Sequence, residues 1–297
     1  MRRIFIRLFA ALLIMCVFIF GNAHVSFADN LTFTEAYFTQ EEEYSGMIDV
    51  PGKGPMRYYA QNDPLWGDFA YERSETRSRR PIKDGGCGPT AGAMAIANLI
   101  PEEELSAIAS YAKQEFSVCP CSINKGKCIH YHARYVLTSQ RDFVRFLPLI
   151  FADFACGNNI FGTASRGDAQ GTGTGFLLDI TKAYGVTVST TQNYSEALSA
   201  LAAGDTVIGH ASRGGAFTNT RHYVLLAHSD AEKLYILDPL CRTEYKTNQS
   251  KKIEIIQPGL VAMTHANVSA ANIGNYFIFH RDANFSGTIS SSGGQGN

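Results

Sequence analysis

Cys87 closes a glycine-rich turn, Gly85-Gly86-Cys87-Gly88-Pro89-Thr90, and a run of small apolar residues from Ala91 to Ala97 follows directly. The run reads as a buried helix. That places the thiol at a helix N-terminus, where unpaired backbone N–H groups and the positive end of the dipole favour the thiolate. The glycines are expected to keep side chains away from the sulfur, so that a substrate backbone can approach. A cysteine nucleophile is mounted in this way. A structural or disulfide-bonded loop cysteine fits the same segment, and the downstream residues must decide between the two.

A thiol nucleophile needs a base far along the chain and a third group that orients the base. His222 opens the apolar stretch His222-Tyr223-Val224-Leu225-Leu226-Ala227, which reads as a buried strand with the imidazole at its mouth. Tyr235-Ile236-Leu237-Asp238-Pro239 ends the next strand with an aspartate. Hairpin pairing of the two strands sets Asp238 beside His222, where it can accept the ring N–H and fix the tautomer. Upstream, Tyr58-Tyr59-Ala60-Gln61-Asn62-Asp63-Pro64-Leu65-Trp66-Gly67 offers Gln61, whose carboxamide can join the Cys87 backbone N–H around an oxyanion. Each position has a rival reading. His210 and His228 compete as the base, a lone strand histidine being more often a satisfied core residue. Gln61 also fits an ordinary loop, and Asp238-Pro239 a strand-ending turn.

The motifs around Gln61, Gly86-Cys87-Gly88-Pro89-Thr90, His222-Tyr223-Val224-Leu225-Leu226 and Leu237-Asp238-Pro239, in that order, resemble those of papain-like cysteine peptidases related to the bacteriocin-processing, double-glycine-leader group. The resemblance spans residues 58 to 239. It implies a papain-like fold in which Gln61 supplies the oxyanion hole, Cys87 attacks, His222 is the base and Asp238 orients it. Two departures stand out. Bacteriocin-processing members are usually the N-terminal domain of an export transporter, whereas this chain carries a leader and no transporter. The 135 residues from Cys87 to His222 are also many for the compact members, the excess lying in an insertion around 101–175.

The elements that must position these residues are read from periodicity and punctuation. Helices are expected over Thr90–Ile100, Glu102–Phe116, Phe176–Tyr184 and Ser195–Ala203, with Pro101, Gly185 and Gly204 as stops. Strands are expected over Val186–Thr190, Thr206–His210, His222–His228, Lys233–Asp238, Lys252–Ile256 and Tyr276–His280. Helices first and antiparallel strands later indicate an α+β domain with two lobes and the cleft between them. Residues 54–285 form this domain. Residues 29–53 read as a polar linker or short pro-segment, and 286–297 as a Ser/Gly-rich disordered tail.

Arg2, Arg3 and Arg7, the apolar stretch Leu8–Phe20 and the small residues of Ser26-Phe27-Ala28 make residues 1–28 a secretory signal peptide. The expected product is extracytoplasmic and free of the membrane. Removing the leader takes three arginines and no acidic residue from 26 basic and 27 acidic side chains, leaving 23 against 27, a net charge of −4. A chain without basic surplus has no means of collecting phosphate backbones, so nucleic acid is excluded as a partner.

Six cysteines follow the leader: Cys87, Cys119, Cys121, Cys128, Cys156 and Cys241. Cys119, Cys121 and Cys128 with His130 and His132 are a local cluster, open to disulfides in an oxidising compartment or to zinc. The Cys-x-Cys spacing departs from the usual Cys-x2-Cys of structural zinc. Gly171-Thr172-Gly173-Thr174-Gly175 lacks the Lys-Ser/Thr of a phosphate loop and reads as a helix entry. The expectation is a secreted cysteine peptidase that needs no cofactor and acts on a peptide or protein substrate, glycine beside the scissile bond suiting the small residues at the cleft. Acyl transfer through the same thiol is the alternative enzyme, and an extracellular binding module that keeps the fold is the non-enzymatic one.

Overall fold

In a computed structural model, residues 41–68, 81–105, 115–116, 135–136, 144–157, 172–245, 252–268 and 271–281 are described. The chain divides into two units, 1–39 and 40–297, and every described residue belongs to the second. The architecture is α+β. Strands β1 (Gly46–Val50) and β2 (Gly54–Tyr58) form a hairpin. The short helix α1 (Ile82–Gly85) leads into α2 (Cys87–Leu99). Two-residue strands β3 (Glu115–Phe116) and β4 (Tyr135–Val136) pair with each other. Helices α3 (Leu147–Gly157) and α4 (Gly175–Ile180) follow, the latter running into a 3-10 turn at Thr181–Tyr184.

The remaining elements are β5 (Val186–Thr191), α5 (Tyr194–Ala203), β6 (Thr206–Ala211), β7 (His222–Ser229), β8 (Lys233–Leu237), β9 (Glu254–Gln257), β10 (Leu260–Thr264), the one-turn helix α6 (His265–Val268) and β11 (Ile273–Arg281). Seven of the strands form one sheet in the order β5-β11-β6-β7-β8-β10-β9, and every neighbouring pair is antiparallel. The central strands β6 and β7 are buried along nearly their whole length because helices cover both faces.

Helix α2 explains its own position. All residues from Cys87 to Ile96 are buried, and a helix that is apolar all round has no solvent face to offer. It lies on the sheet across β6, β7 and β11 and against α3. Gly92 makes the second contact possible: a Cβ there would lie 3.2 Å from Phe151 of α3 and 3.3 Å from Leu177 of α4. The Thr206 hydroxyl of β6 donates to the Ala95 carbonyl. Val207, the next residue, faces the other way, into an apolar cluster with Ala197 of α5, Val224, Leu226 and Ile236. The Asn98 carboxamide both accepts from Arg57 N and donates to Arg57 O, tying β2 to the far end of α2.

Several elements differ from the sequence expectation. Helix α2 begins at Cys87, three residues before Thr90, since a helix tolerates proline in its first turn. The expected helix over 102–116 does not reach its end, because Glu115 and Phe116 pair as a strand. The strand β1 lies inside the segment read as a linker, with Ile48 and Val50 buried. Too few alternating residues separate its turn glycines for a period-2 signal to stand out. The leader, residues 29–40, the tail and most of the 101–175 insertion lie outside the described residues.

Candidate active site

The first turn of α2 holds Cys87. Thr90 N is the first amide to bond back along the helix, to Gly86 O, and Pro89 has no amide hydrogen. Gly86, the cap, has no side chain to accept a bond. The Cys87 and Gly88 amides therefore remain without an intrahelical acceptor, at the positive end of the dipole. The thiol is buried and unpaired with any other sulfur. The glycines do something other than the sequence reading expects. A Cβ on Gly86 would stand 2.5 Å from Ile82 Cγ2, and one on Gly88 would stand 2.4 Å from the Thr172 side chain. Their empty space is filled by the chain itself rather than left for a substrate.

His222 meets Cys87 from the start of β7. Its Nε2 stands 2.6 Å from Asp238 Oδ1, and its side chain lies beside the Cys87 thiol. With Nε2 committed to the carboxylate, Nδ1 is the ring nitrogen left to face sulfur. Asp238 reaches the ring diagonally. Leu225 pairs with Leu237, so the register carried one step further opposes Asp238 to Val224, two residues from His222 on the same face. Burial disfavours charge on the imidazole, but the Asp238 charge, its hydrogen bond and the contact with Cys87 outweigh this, and the His222 pKa is pushed up to about 9. Burial likewise opposes charge on Asp238, and the imidazolium with Arg242 and Tyr245 reverses it, holding the carboxyl below its usual range. The two shifts agree in sign and describe one buried ion pair.

Asp238 has more partners than the sequence suggests. Oδ1 also accepts from Leu240 N at 2.9 Å. Oδ2 accepts from the Tyr245 hydroxyl at 2.5 Å. Arg242 Nη2 is 3.2 Å from Oδ2 but outside hydrogen-bond geometry, so that contact is one of charge with charge. Tyr58 OH donates to the Asp238 carbonyl, and Asp238 N donates to Gly259 O. A tyrosine seven residues and an arginine four residues after an aspartate carry no recognisable spacing, so sequence reasoning misses both.

Gln61 sits on a turn clamped from two sides. Its backbone N–H donates to Pro239 O, beside Asp238, and its Nε2 donates to Lys83 O, four residues before Cys87, each at 2.7 Å. Asn62 exchanges side-chain bonds with the Cys241 backbone. The turn itself is held by Asp63, fully buried, whose carboxylate accepts from Tyr44 N, Ser45 N and Leu65 N, and by Trp66 Nε1 donating to Ala60 O. The Lys83 carbonyl fixes which end of the carboxamide is nitrogen. One Nε2 hydrogen remains beyond the Lys83 bond.

The rival histidines are placed elsewhere. His210, on β6, stacks on Tyr223 at 4.4 Å between ring centroids, and burial with neighbouring Arg221 and His222 lowers its pKa to about 4. It is a neutral core ring. His228 lies at the far end of β7, stacked on Tyr235 and filling the space above Gly52. The bulge at Ala227 interrupts the alternation that would keep it on the face of His222. Cys119, Cys121, Cys128, His130 and His132 lie outside the described residues. Cys241 is a half-buried free thiol beside Tyr58. Among the described residues no three His, Cys, Asp or Glu side chains gather as a metal site, and no helix is long and apolar enough to cross a membrane. The chain matches no known protein-family model, and no curated protein is significantly similar to it.

Proposed function

We propose that this chain is a secreted cysteine peptidase of papain-like, two-lobed architecture. The observation that carries the reading is the relay Cys87–His222–Asp238, which joins the N-terminus of a buried helix to the adjacent strands of an antiparallel sheet. A helix bearing the thiol and a sheet bearing the base match the division of labour that the motif order implies. Cys87 reacts as the thiolate, held between the His222 imidazolium and the α2 amides. Sulfur attacks the scissile carbonyl carbon. The oxyanion is met by the Cys87 N–H and by the free Nε2 hydrogen of Gln61. The imidazolium then protonates the leaving amine, and the neutral ring activates water, which releases the acid and restores the thiol. No step requires a cofactor.

The test is a diverse peptide library incubated with the leader-free protein under mild reductant, with Cys87→Ala in parallel and products read by mass spectrometry. Cleavage products made only by the wild type are expected, and their ends report the preferred residues. Wild-type products that instead carry an added amine acceptor would move the reading to acyl transfer. An absence of products together with a Cys87 thiol no faster than free cysteine towards iodoacetamide would overturn both.

A further inference from the structure

The peptidase relay explains one oxygen of Asp238 and leaves the other with partners of its own. Oδ1 is occupied by His222 and Leu240 N. Oδ2 receives the Tyr245 hydroxyl at 2.5 Å and the Arg242 charge at 3.2 Å. The two partners are themselves coupled: the Arg242 guanidinium lies over the Tyr245 ring, 4.6 Å from its centroid. Arg242 also reaches across to the other half of the relay. Its Nη1 donates at 2.9 Å to the carbonyl of Phe217, and the Phe217 ring packs against the His222 imidazole, 6.1 Å between centroids. One arginine thus touches the carboxylate and the residue that backs the imidazole.

We propose that Arg242 and Tyr245 are positioning residues that keep the Asp238 carboxylate charged and fixed in rotation against His222. The inference rests on the peptidase reading of Cys87, His222 and Asp238. The geometry gives the two residues distinct parts. A carboxylate with partners on Oδ1 alone can swing about its Cβ–Cγ bond. A short hydroxyl bond to Oδ2 pins the plane so that Oδ1 stays in line with Nε2. The Arg242 contact is off hydrogen-bond geometry, so its part is the charge, which any cation of similar reach supplies.

The ionisable groups facing Asp238 are the His222 imidazole from β7, Arg242, Tyr245 and Cys241 from the loop after β8, and the Tyr58 hydroxyl from β2. His222 in turn faces Cys87. Within the relay, His222 and Asp238 titrate as a pair. Its reactive form holds Asp238 as carboxylate, His222 as imidazolium and Cys87 as thiolate, and adding one proton ends that form. Losing a stabiliser of the carboxylate makes the added proton easier to accept, so the acid limb of thiolate reactivity moves to higher pH.

The measurement is the pH dependence of Cys87 alkylation by iodoacetamide, read on the Cys87 peptide by mass spectrometry so that Cys241 does not contribute. Wild type, Tyr245→Phe, Arg242→Met and Arg242→Lys are compared with Asp238→Asn. Tyr245→Phe removes a hydrogen bond to a charged group and is expected to raise the acid limb by about one to two pH units. Arg242→Met is expected to shift it in the same direction, and Arg242→Lys to restore it. A merely structural role lowers the unfolding midpoint without moving the limb and gains nothing from lysine. Limbs that coincide in all four proteins, with a thiolate plateau present in the wild type, would refute the positioning role alone. A wild type without such a plateau would bring down the peptidase reading and this inference together. Tyr245→Phe removes a single oxygen atom, which keeps the test open should Arg242→Met fail to fold.

Discussion

At the scale of single residues, the candidate site is an ion pair made possible by what surrounds it. His222 and Asp238 are both buried, and burial alone would discharge each of them. They stay charged because each is the other's partner and because Oδ2 has a hydroxyl and a guanidinium of its own. Asp238→Ala removes the ring's anchor while leaving Cys87 and the α2 amides in place. The expected loss in kcat/KM on a cleaved peptide is about 10²–10⁴-fold, with Cys87 still alkylated by iodoacetamide. Full turnover in that variant would mean that another group orients His222. The glycines beside Cys87 make a second point. Gly88 is small because Thr172 occupies the space of its missing Cβ, and the Thr172 carbonyl is bonded by Tyr223 OH. Gly88→Ala must displace that segment. It is expected to cost about 1–3 kcal/mol, read as a lower urea midpoint.

At the scale of elements, each group of the candidate site stands at the end of something rigid. Cys87 begins α2, His222 begins β7, and Asp238 follows β8. Helix α5 lies on the other side of the sheet and serves stability. Its cap, Asn193, accepts from Ser195 N at 2.9 Å and from Glu196 N at 3.4 Å, and Gly204 ends it with φ of 99°. Asn193→Ala is therefore expected to lower stability by about 1 kcal/mol in chemical denaturation while leaving the Cys87 alkylation rate unchanged. A changed rate would show that α5 reaches the site. This helix and the strands β5 to β8 were legible in the sequence, since capping residues, glycine stops and β-branched runs act locally. So was the placing of His222 and Asp238 on neighbouring strands, where their side chains meet. The hairpin of β1 and β2 was not, because its strands hold few alternating apolar residues, and neither was the diagonal offset of Asp238, which depends on the register across the sheet. Tyr245 and Arg242 escaped for a related reason. Their importance comes from where a loop folds back, and no local periodicity encodes that.

At the scale of the whole molecule, two neighbouring histidines in the sheet are shifted in opposite directions, and together they set how stability should depend on pH. The folded protein holds the His222 proton to about pH 9, against an ordinary value of 6.5. The stabilisation from this proton is complete below about pH 6.5 and disappears as pH rises towards 9, because the unfolded chain gives the proton up first. His210 behaves in the reverse sense. Burial holds its pKa down at about 4, so between pH 6.5 and 4 the unfolded chain takes a proton that the folded one refuses, and stability falls with acid. Asp238, held below its ordinary 3.8, adds a further loss only under more acidic conditions. The three groups together place the maximum near pH 6.5. Urea midpoints at pH 4.5, 6.5 and 9 should trace a dome in the wild type. His222→Gln should flatten its alkaline side and His210→Gln its acid side, each leaving the other slope in place. A wild-type midpoint that stays level from pH 6.5 to 9 would mean that His222 carries no extra proton in the folded chain. The imidazolium that the proposed chemistry draws on would then be absent from the resting protein.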